Sequence, residues 1–151
     1  MIMRWKIVEW LTIQATNLSD FLLRNRSWKY QYSDYVDLPK NTIGYHYYAY
    51  LRKNKLTYKP NLIKHDIKHI LLGYGMKMPG EMEIVAFLIG NKSYNKVGVL
   101  YLFTCLLIVP EYLPQLVQHY KRGKNATCLR EINLEDIIDK DLTTVRIALN
   151  I

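Results

Sequence analysis

The chain has 151 residues, half of them apolar and 23% charged, which suits one soluble globular domain with a real core. Its net charge of +8 is one-sided: residues 1–78 hold 13 Lys/Arg against 5 Asp/Glu, and residues 79–151 hold 8 against 8. The N-terminal half therefore attracts anionic lipid, nucleic acid or phosphorylated ligands, while the two cysteines exclude a disulfide framework.

The first eleven residues are apolar but carry Arg4, Lys6 and Glu9. Glu9 interrupts any signal-peptide core, and no small-residue cleavage site follows. The pattern predicts an amphipathic helix over roughly 3–15, with Trp5, Val8, Leu11 and Ala15 on its core face. Trp5 and Trp10 also suit a membrane surface. Asn17, Ser19 and Asp20 are capping residues before Phe21-Leu22-Leu23, so a short second helix is expected there. Trp28, Tyr30, Tyr32 and Tyr35 crowd the next stretch, and packing beneath a loop explains them better than base stacking does. Asn41 or Thr42 can cap a helix over roughly 42–54, whose Arg52, Lys53 and Lys55 favour its C-terminus. Tyr45, Tyr47, Tyr48 and Tyr50 make this helix aromatic enough to line an apolar pocket.

Lys59-Pro60-Asn61 starts the next helix, over 61–73, which carries His65-Asp66-Ile67-Lys68-His69. At about 100° per residue, His65 stands at 0°, His69 at about 40° and Asp66 at about 100°. Leu62 and Leu72 share that side, so it points inward. Burying a carboxylate beside two imidazoles is costly without a partner for them. Gly73 and Gly75 end the helix, and Pro79-Gly80 opens a returning one with Glu81 in its first turn. Two readings fit. Either His65, Asp66, His69 and Glu81 hold a divalent cation, or His65 and Asp66 are a surface pair and His69 is a satisfied core histidine.

Ile84, Val85, Phe87, Leu88 and Ile89 continue the returning helix to Gly90. Val97–Val109 is thirteen residues without a charge. Spanning a bilayer takes about 20, so a buried central helix is expected. Residues 111–122 form another helix with Leu113, Leu116, Val117 and Tyr120 on one stripe, and His119 reads as structural or exposed. Cys105 and Cys128 fit no C-x-x-C pattern, which points to a reducing compartment. Asn133 can cap a turn over Leu134–Asp139. Asp141 can cap a final helix with an apolar stripe of Leu142, Val145 and Leu149. The reading is one all-α domain over 1–151, of roughly six to eight helices, with a metal site and an apolar lipid pocket.

H-D-x-x-H followed by Glu81 resembles the signature of the Coq-four family of ubiquinone biosynthesis. Leu38-Pro39-Lys40-Asn41-Thr42-Ile43-Gly44-Tyr45 is similar to its L-P-x-x-T-L-G segment. Leu71, Leu72, Gly73, Tyr74 and Gly80-Glu81 also match its pattern. Tyr120-Lys121-Arg122-Gly123-Lys124 resembles its Y-x-R-G-R/K segment, and Leu142, Val145, Arg146, Leu149 and Ile151 resemble its ending. The likeness runs from about residue 38 to the C-terminus, with residues 1–37 weakly matched. Leu134 stands where the family has tryptophan, and the N-terminal region is shorter.

The resemblance implies that His65, Asp66, His69 and Glu81 bind a divalent metal, zinc first and manganese or iron next, with His65, His69 and Glu81 taking part in catalysis. It implies oxidative removal of the C1 carboxyl from a polyprenyl hydroxybenzoate, a carbon–carbon lyase reaction. Tyr45, Tyr48 and Leu102 are the expected lipid contacts. The implied partners are a polyprenyl aromatic lipid, an anionic membrane surface on the cytoplasmic or matrix side, other quinone-biosynthesis enzymes and a second copy; nucleic acid is not among them. Two other classes compete. One is a non-catalytic prenyl-lipid scaffold. The other is an HD-type phosphohydrolase, which needs a further histidine such as His46 and a later aspartate such as Asp136.

Overall fold

The computed structural model describes residues 2–23 and 28–151. Among them are seven α-helices and no strand, in one compact body: α1 Ile2–Leu23, α2 Ile43–Asn54, α3 Ile63–Leu72, α4 Gly80–Gly90, α5 Lys96–Ile108, α6 Leu113–Asn125 and α7 Leu142–Ala148. Short 3₁₀ turns join several of them.

α4 is the axis of the fold. Gly80, Met82, Ile84, Val85, Ala86, Phe87, Leu88 and Gly90 are all buried, so its apolar character on every side reflects enclosure on every side. α6 crosses it at a backbone-to-backbone contact. A Cβ on Gly90 would overlap the Tyr120 carbonyl oxygen, and one on Gly123 would overlap the Phe87 carbonyl oxygen. The buried Asn91, just past α4, ties the crossing off. Its Nδ2 donates to the Gly123, Ala126 and Thr127 carbonyls, and its Oδ1 accepts from the Leu129 amide at 2.8 Å.

The two ends of the region from residue 38 onward are locked together by their caps. Thr42 caps α2 by accepting from the Tyr45 amide, and Asp141 caps α7 by accepting from the Thr144 amide. The same two residues form an antiparallel bridge, and Asn41 donates to the Asp141 carboxylate at 2.9 Å. Leu142 and Leu149 are buried, and Asn133 caps the 3₁₀ turn Leu134–Ile137.

Three expectations are corrected. α1 is one helix of 22 residues, not two. The Asp20 carboxylate accepts from Asn61 Nδ2 at 2.9 Å, so it serves a tertiary contact instead of opening a new helix. The expected core face of α1 does hold: Val8 is fully buried, and Trp5, Leu11 and Ala15 pack against the core. Second, the uncharged 97–109 stretch is not a buried central helix. It packs on α1 and buries Tyr101, Leu102 and Cys105, while Leu100, Phe103 and Leu107 are each more than 60% exposed. A helix apolar all round carries no periodicity to tell the two cases apart. Third, the α6 stripe is split. Leu116 is buried and Leu113, Val117 and Tyr120 are exposed, because α6 meets α4 through Leu116 and Gly123.

Replacing Gly123 by alanine forces a methyl group into the Phe87 carbonyl. We expect a loss of at least about 2 kcal/mol, in the range for overpacked sites, read as a lower urea midpoint. A change under about 0.5 kcal/mol would show that the crossing tolerates separation.

Candidate metal centre

α3 is built to carry its histidines rigidly. Gly73 ends it in the left-handed conformation at φ 77°, and the Gly73 and Tyr74 amides both return to the His69 carbonyl. The remaining C-terminal carbonyls are taken by two arginines from other helices. Arg146 Nε donates to the Leu71 carbonyl and its Nη2 to that of Ile70, both at 2.8 Å. Arg122 Nη1 donates to the Leu72 carbonyl at 2.9 Å and lies over the Tyr74 ring. Two cations thus face the negative end of the helix dipole. Arg122 and Arg146 were marked in the sequence only by the family resemblance. Their contacts lie 50 and 75 residues away along the chain, so no local pattern signals this role.

The other end of the site comes from α4. Glu81 lies in its first turn, where helix polarity favours a carboxylate. It meets both histidines: His69 Nε2 is 3.4 Å from Glu81 Oε1, and His65 Nε2 is 3.7 Å from Glu81 Oε2. The imidazole centroids are 4.6 Å apart. One ligand atom from each of His65, His69 and Glu81 lies within 4.8 Å of the others. The His69 side chain is fully enclosed, yet neither of its ring nitrogens has a hydrogen-bond partner. An enclosed imidazole without partners is costly. Two imidazole nitrogens and a carboxylate oxygen facing one point fit a divalent cation and resolve that cost.

Asp66 stands beside this group. Its Oδ1 is 3.8 Å from His65 Nδ1, and its Oδ2 accepts from the Tyr47 hydroxyl at 3.1 Å. It faces the His65 ring nitrogen opposite the one that faces Glu81. His46 and Asp136 are exposed and are not in the group. His119 bonds the Tyr74 hydroxyl at 3.0 Å, with its other nitrogen 3.8 Å from Glu83, which in turn accepts from Tyr112.

The electrostatics follow from the grouping. Burial pulls the His65 pKa down, but Asp66 and Glu81 outweigh it, and the net shift is upward. Burial pushes Glu81 up, but His69 and His65 outweigh it, and its net shift is downward. Glu81 therefore keeps its charge at lower pH than a free carboxyl, and His65 keeps a proton at higher pH than a free imidazole.

His65, Asp66 and Glu81 open onto a cavity of about 600 Å³. Ile13, Leu51, Leu56, Leu62, Val85 and Leu88 line it, with Lys55, Lys59 and Lys77 adding positive charge. Tyr101 also lines it, held by Thr12 at 2.8 Å. Tyr45, Tyr48 and Leu102, the expected lipid contacts, are not among its described lining residues. Tyr45 and Tyr48 instead meet in a tilted ring contact, and Tyr48 makes another with Tyr32.

The chain matches no known family model and no curated protein. A solved structure does match. A protein of Nostoc punctiforme PCC 73102, named for ubiquinone biosynthesis, is similar over 94% of this chain and 80% of its own, with a TM-score of 0.64 and 16% identity. The chain has the fold of that protein.

We expect purified protein to hold one divalent cation per chain, lost in His65→Ala, His69→Ala and Glu81→Ala. Asp66→Asn should weaken binding about 10- to 100-fold without abolishing it, as for a residue that orients a ligand; complete loss would make Asp66 a ligand itself. A cation must displace the His65 proton, so affinity should fall with decreasing pH, starting above 6.5, the ordinary imidazole value. Arg146→Ala should lower metal affinity as well as stability, by freeing two carbonyls of α3.

Proposed function

We propose that this chain is a metal-dependent protein of ubiquinone biosynthesis that acts on a polyprenyl hydroxybenzoate. The observation that carries the reading is the His65–His69–Glu81 group, of which His65 and Glu81 line a largely apolar cavity. A carboxylate head suits a cation, and a long hydrocarbon tail suits the cavity walls. The fold shared with the Nostoc protein and the ordered motifs from residue 38 onward support the pathway.

The specific chemistry is oxidative decarboxylation at C1. The bond between ring and carboxyl breaks, carbon dioxide leaves, and a hydroxyl from water takes its place, while dioxygen accepts the two electrons released and leaves as hydrogen peroxide. When bound, the cation supplies Lewis-acid charge for the acid group. The chain's own residues do the rest. Lys55, Lys59 and Lys77 draw the acid inward. The apolar walls exclude water and align the tail, and Asp66 fixes the His65 ring. Glu81 comes from a separate helix, so it is the ligand able to step aside for substrate.

The chain acts at a membrane. Among the described residues no single helix is long and apolar enough to cross a bilayer. α1 and α5 pack together and leave Ile7, Trp10, Phe21, Leu100, Phe103 and Leu107 exposed, with Lys6 and Lys96 exposed on the same helices. Such a surface suits the interface of an anionic leaflet. Other quinone-biosynthesis enzymes and a second copy of this chain are the expected partners there.

Metal-loaded protein given the prenylated acid under air should yield the decarboxylated, hydroxylated ring. Glu81→Gln should cut turnover more than it cuts lipid binding. Absence of product with zinc, manganese, iron and cobalt alike, alongside intact lipid binding, would make the chain a lipid-holding scaffold.

Docking is tested by vesicle sedimentation. Binding should need anionic lipid, weaken as salt rises, and fall in a Trp10→Glu/Phe103→Glu variant. Equal binding to neutral vesicles would refute the electrostatic part.

A further inference from the structure

The cavity beside the metal group is largely apolar, but it carries a hydrogen-bonded group drawn from three parts of the chain. Tyr101 comes from α5, Thr12 from α1 and Met78 from the segment just before α4, and all three line the cavity. Tyr101 Oη lies 2.8 Å from Thr12 Oγ1 and 3.1 Å from Met78 Sδ. We propose that, with the hydroxybenzoate substrate proposed above, the Tyr101 oxygen accepts a hydrogen bond from the substrate's ring hydroxyl and so selects a free phenol.

A count of protons leads there. Thr12 donates its one proton to the Val8 carbonyl at 2.9 Å, the back-bond common for a threonine inside a helix. Tyr101 therefore donates its own proton, to Thr12 Oγ1 or to Met78 Sδ. A phenolic oxygen that donates still has lone pairs to accept with. The Cys105 thiol, one turn along α5, also meets this hydroxyl. A thiol is a weak donor and can occupy only one lone pair. Another is left without a donor among the described contacts, on an oxygen set between cavity-lining side chains.

Burial pushes the Tyr101 hydroxyl well above the ordinary tyrosine pKa, against a smaller opposing pull from Thr12, and the Glu81 charge adds to the rise. The hydroxyl thus stays protonated, with its proton already committed, and offers a ligand an acceptor. The influence of Glu81 also ties Tyr101 to the metal side of the cavity, and Met78 stands three residues before Glu81 in the chain. The carboxylate and the hydrocarbon tail of the substrate have no proton to give. Its ring hydroxyl is the one group able to use this lone pair. With the acid at the cation and the hydroxyl at Tyr101, the ring is held at two points, which fixes its orientation in an otherwise apolar wall. An analogue without that proton leaves the buried acceptor unpaired.

Calorimetric titration of zinc-loaded, full-length protein tests this with three prenylated acids that differ at one ring position, bearing hydroxyl, hydrogen or methoxy. The unchanged protein should bind the hydroxyl compound about tenfold more tightly than either of the others, the range for one buried hydrogen bond. Tyr101→Phe keeps the ring in the wall and removes the oxygen, so the preference should fall below about twofold. Tyr94→Phe, at another tyrosine that lines the cavity, should keep it. Equal affinity for the three acids in the unchanged protein would overturn the role of Tyr101 and leave the hydroxybenzoate class standing. So would a preference that survives in Tyr101→Phe, even if affinity for all three acids falls together, because the hydroxyl would then only support the wall. No binding of any of the three acids would refute the substrate class itself, and the role of Tyr101 with it.

Discussion

The structure depends on an enclosed imidazole. His69 sits at the centre of the molecule with neither ring nitrogen hydrogen-bonded. Nothing in the hydrophobic effect rewards a histidine there, and an apolar residue would pack the same space at lower cost. A cation beside Glu81 would give a ring nitrogen an electron-pair acceptor. Glu81 at 3.4 Å and His65 at the adjacent ring define where that acceptor sits. The surrounding elements then read as support. Two arginines hold the end of α3, Tyr47 holds Asp66, and Asp66 faces His65.

That support reaches the whole fold through α4. Glu81 opens α4, and the rest of the helix is enclosed on every side. Its crossing with α6 is set by Gly90 and Gly123, where backbone meets backbone without side chains between. The same α6 supplies Arg122, which returns to the end of α3. The motif glycine at 123 and the motif arginine at 122 therefore act on one object, the angle between the helix bearing the histidines and the helix bearing the glutamate. Arg146 adds the last helix to the same clamp.

Much of this was legible in the sequence. The H-D-x-x-H spacing put both histidines on one face, and Pro79-Gly80 placed Glu81 at a helix start, where the structure has it. Thr42, Asn133 and Asp141 cap as their residue types require. What was not legible has a common cause. α5 is apolar on every side, so its pattern holds no information about which side is buried. α1 carries capping residues mid-helix, and only Asn61, forty-one positions away, shows why Asp20 does not cap. The cavity walls come from α1, the 51–62 segment, α4 and α5, and no local pattern joins those. The tyrosines of α2 drew attention as a lipid wall because of their density, but Tyr47 is spent on the core and on Asp66.

The central claim is that two imidazoles and a carboxylate of this chain hold one divalent cation. X-ray absorption at the edge of the bound metal tests it most directly. The account predicts a first shell of nitrogen and oxygen with outer-shell scattering from two histidines, lost together with the metal in His65→Ala and in His69→Ala. A shell of oxygen alone, or two-histidine scattering that survives His69→Ala, would contradict it.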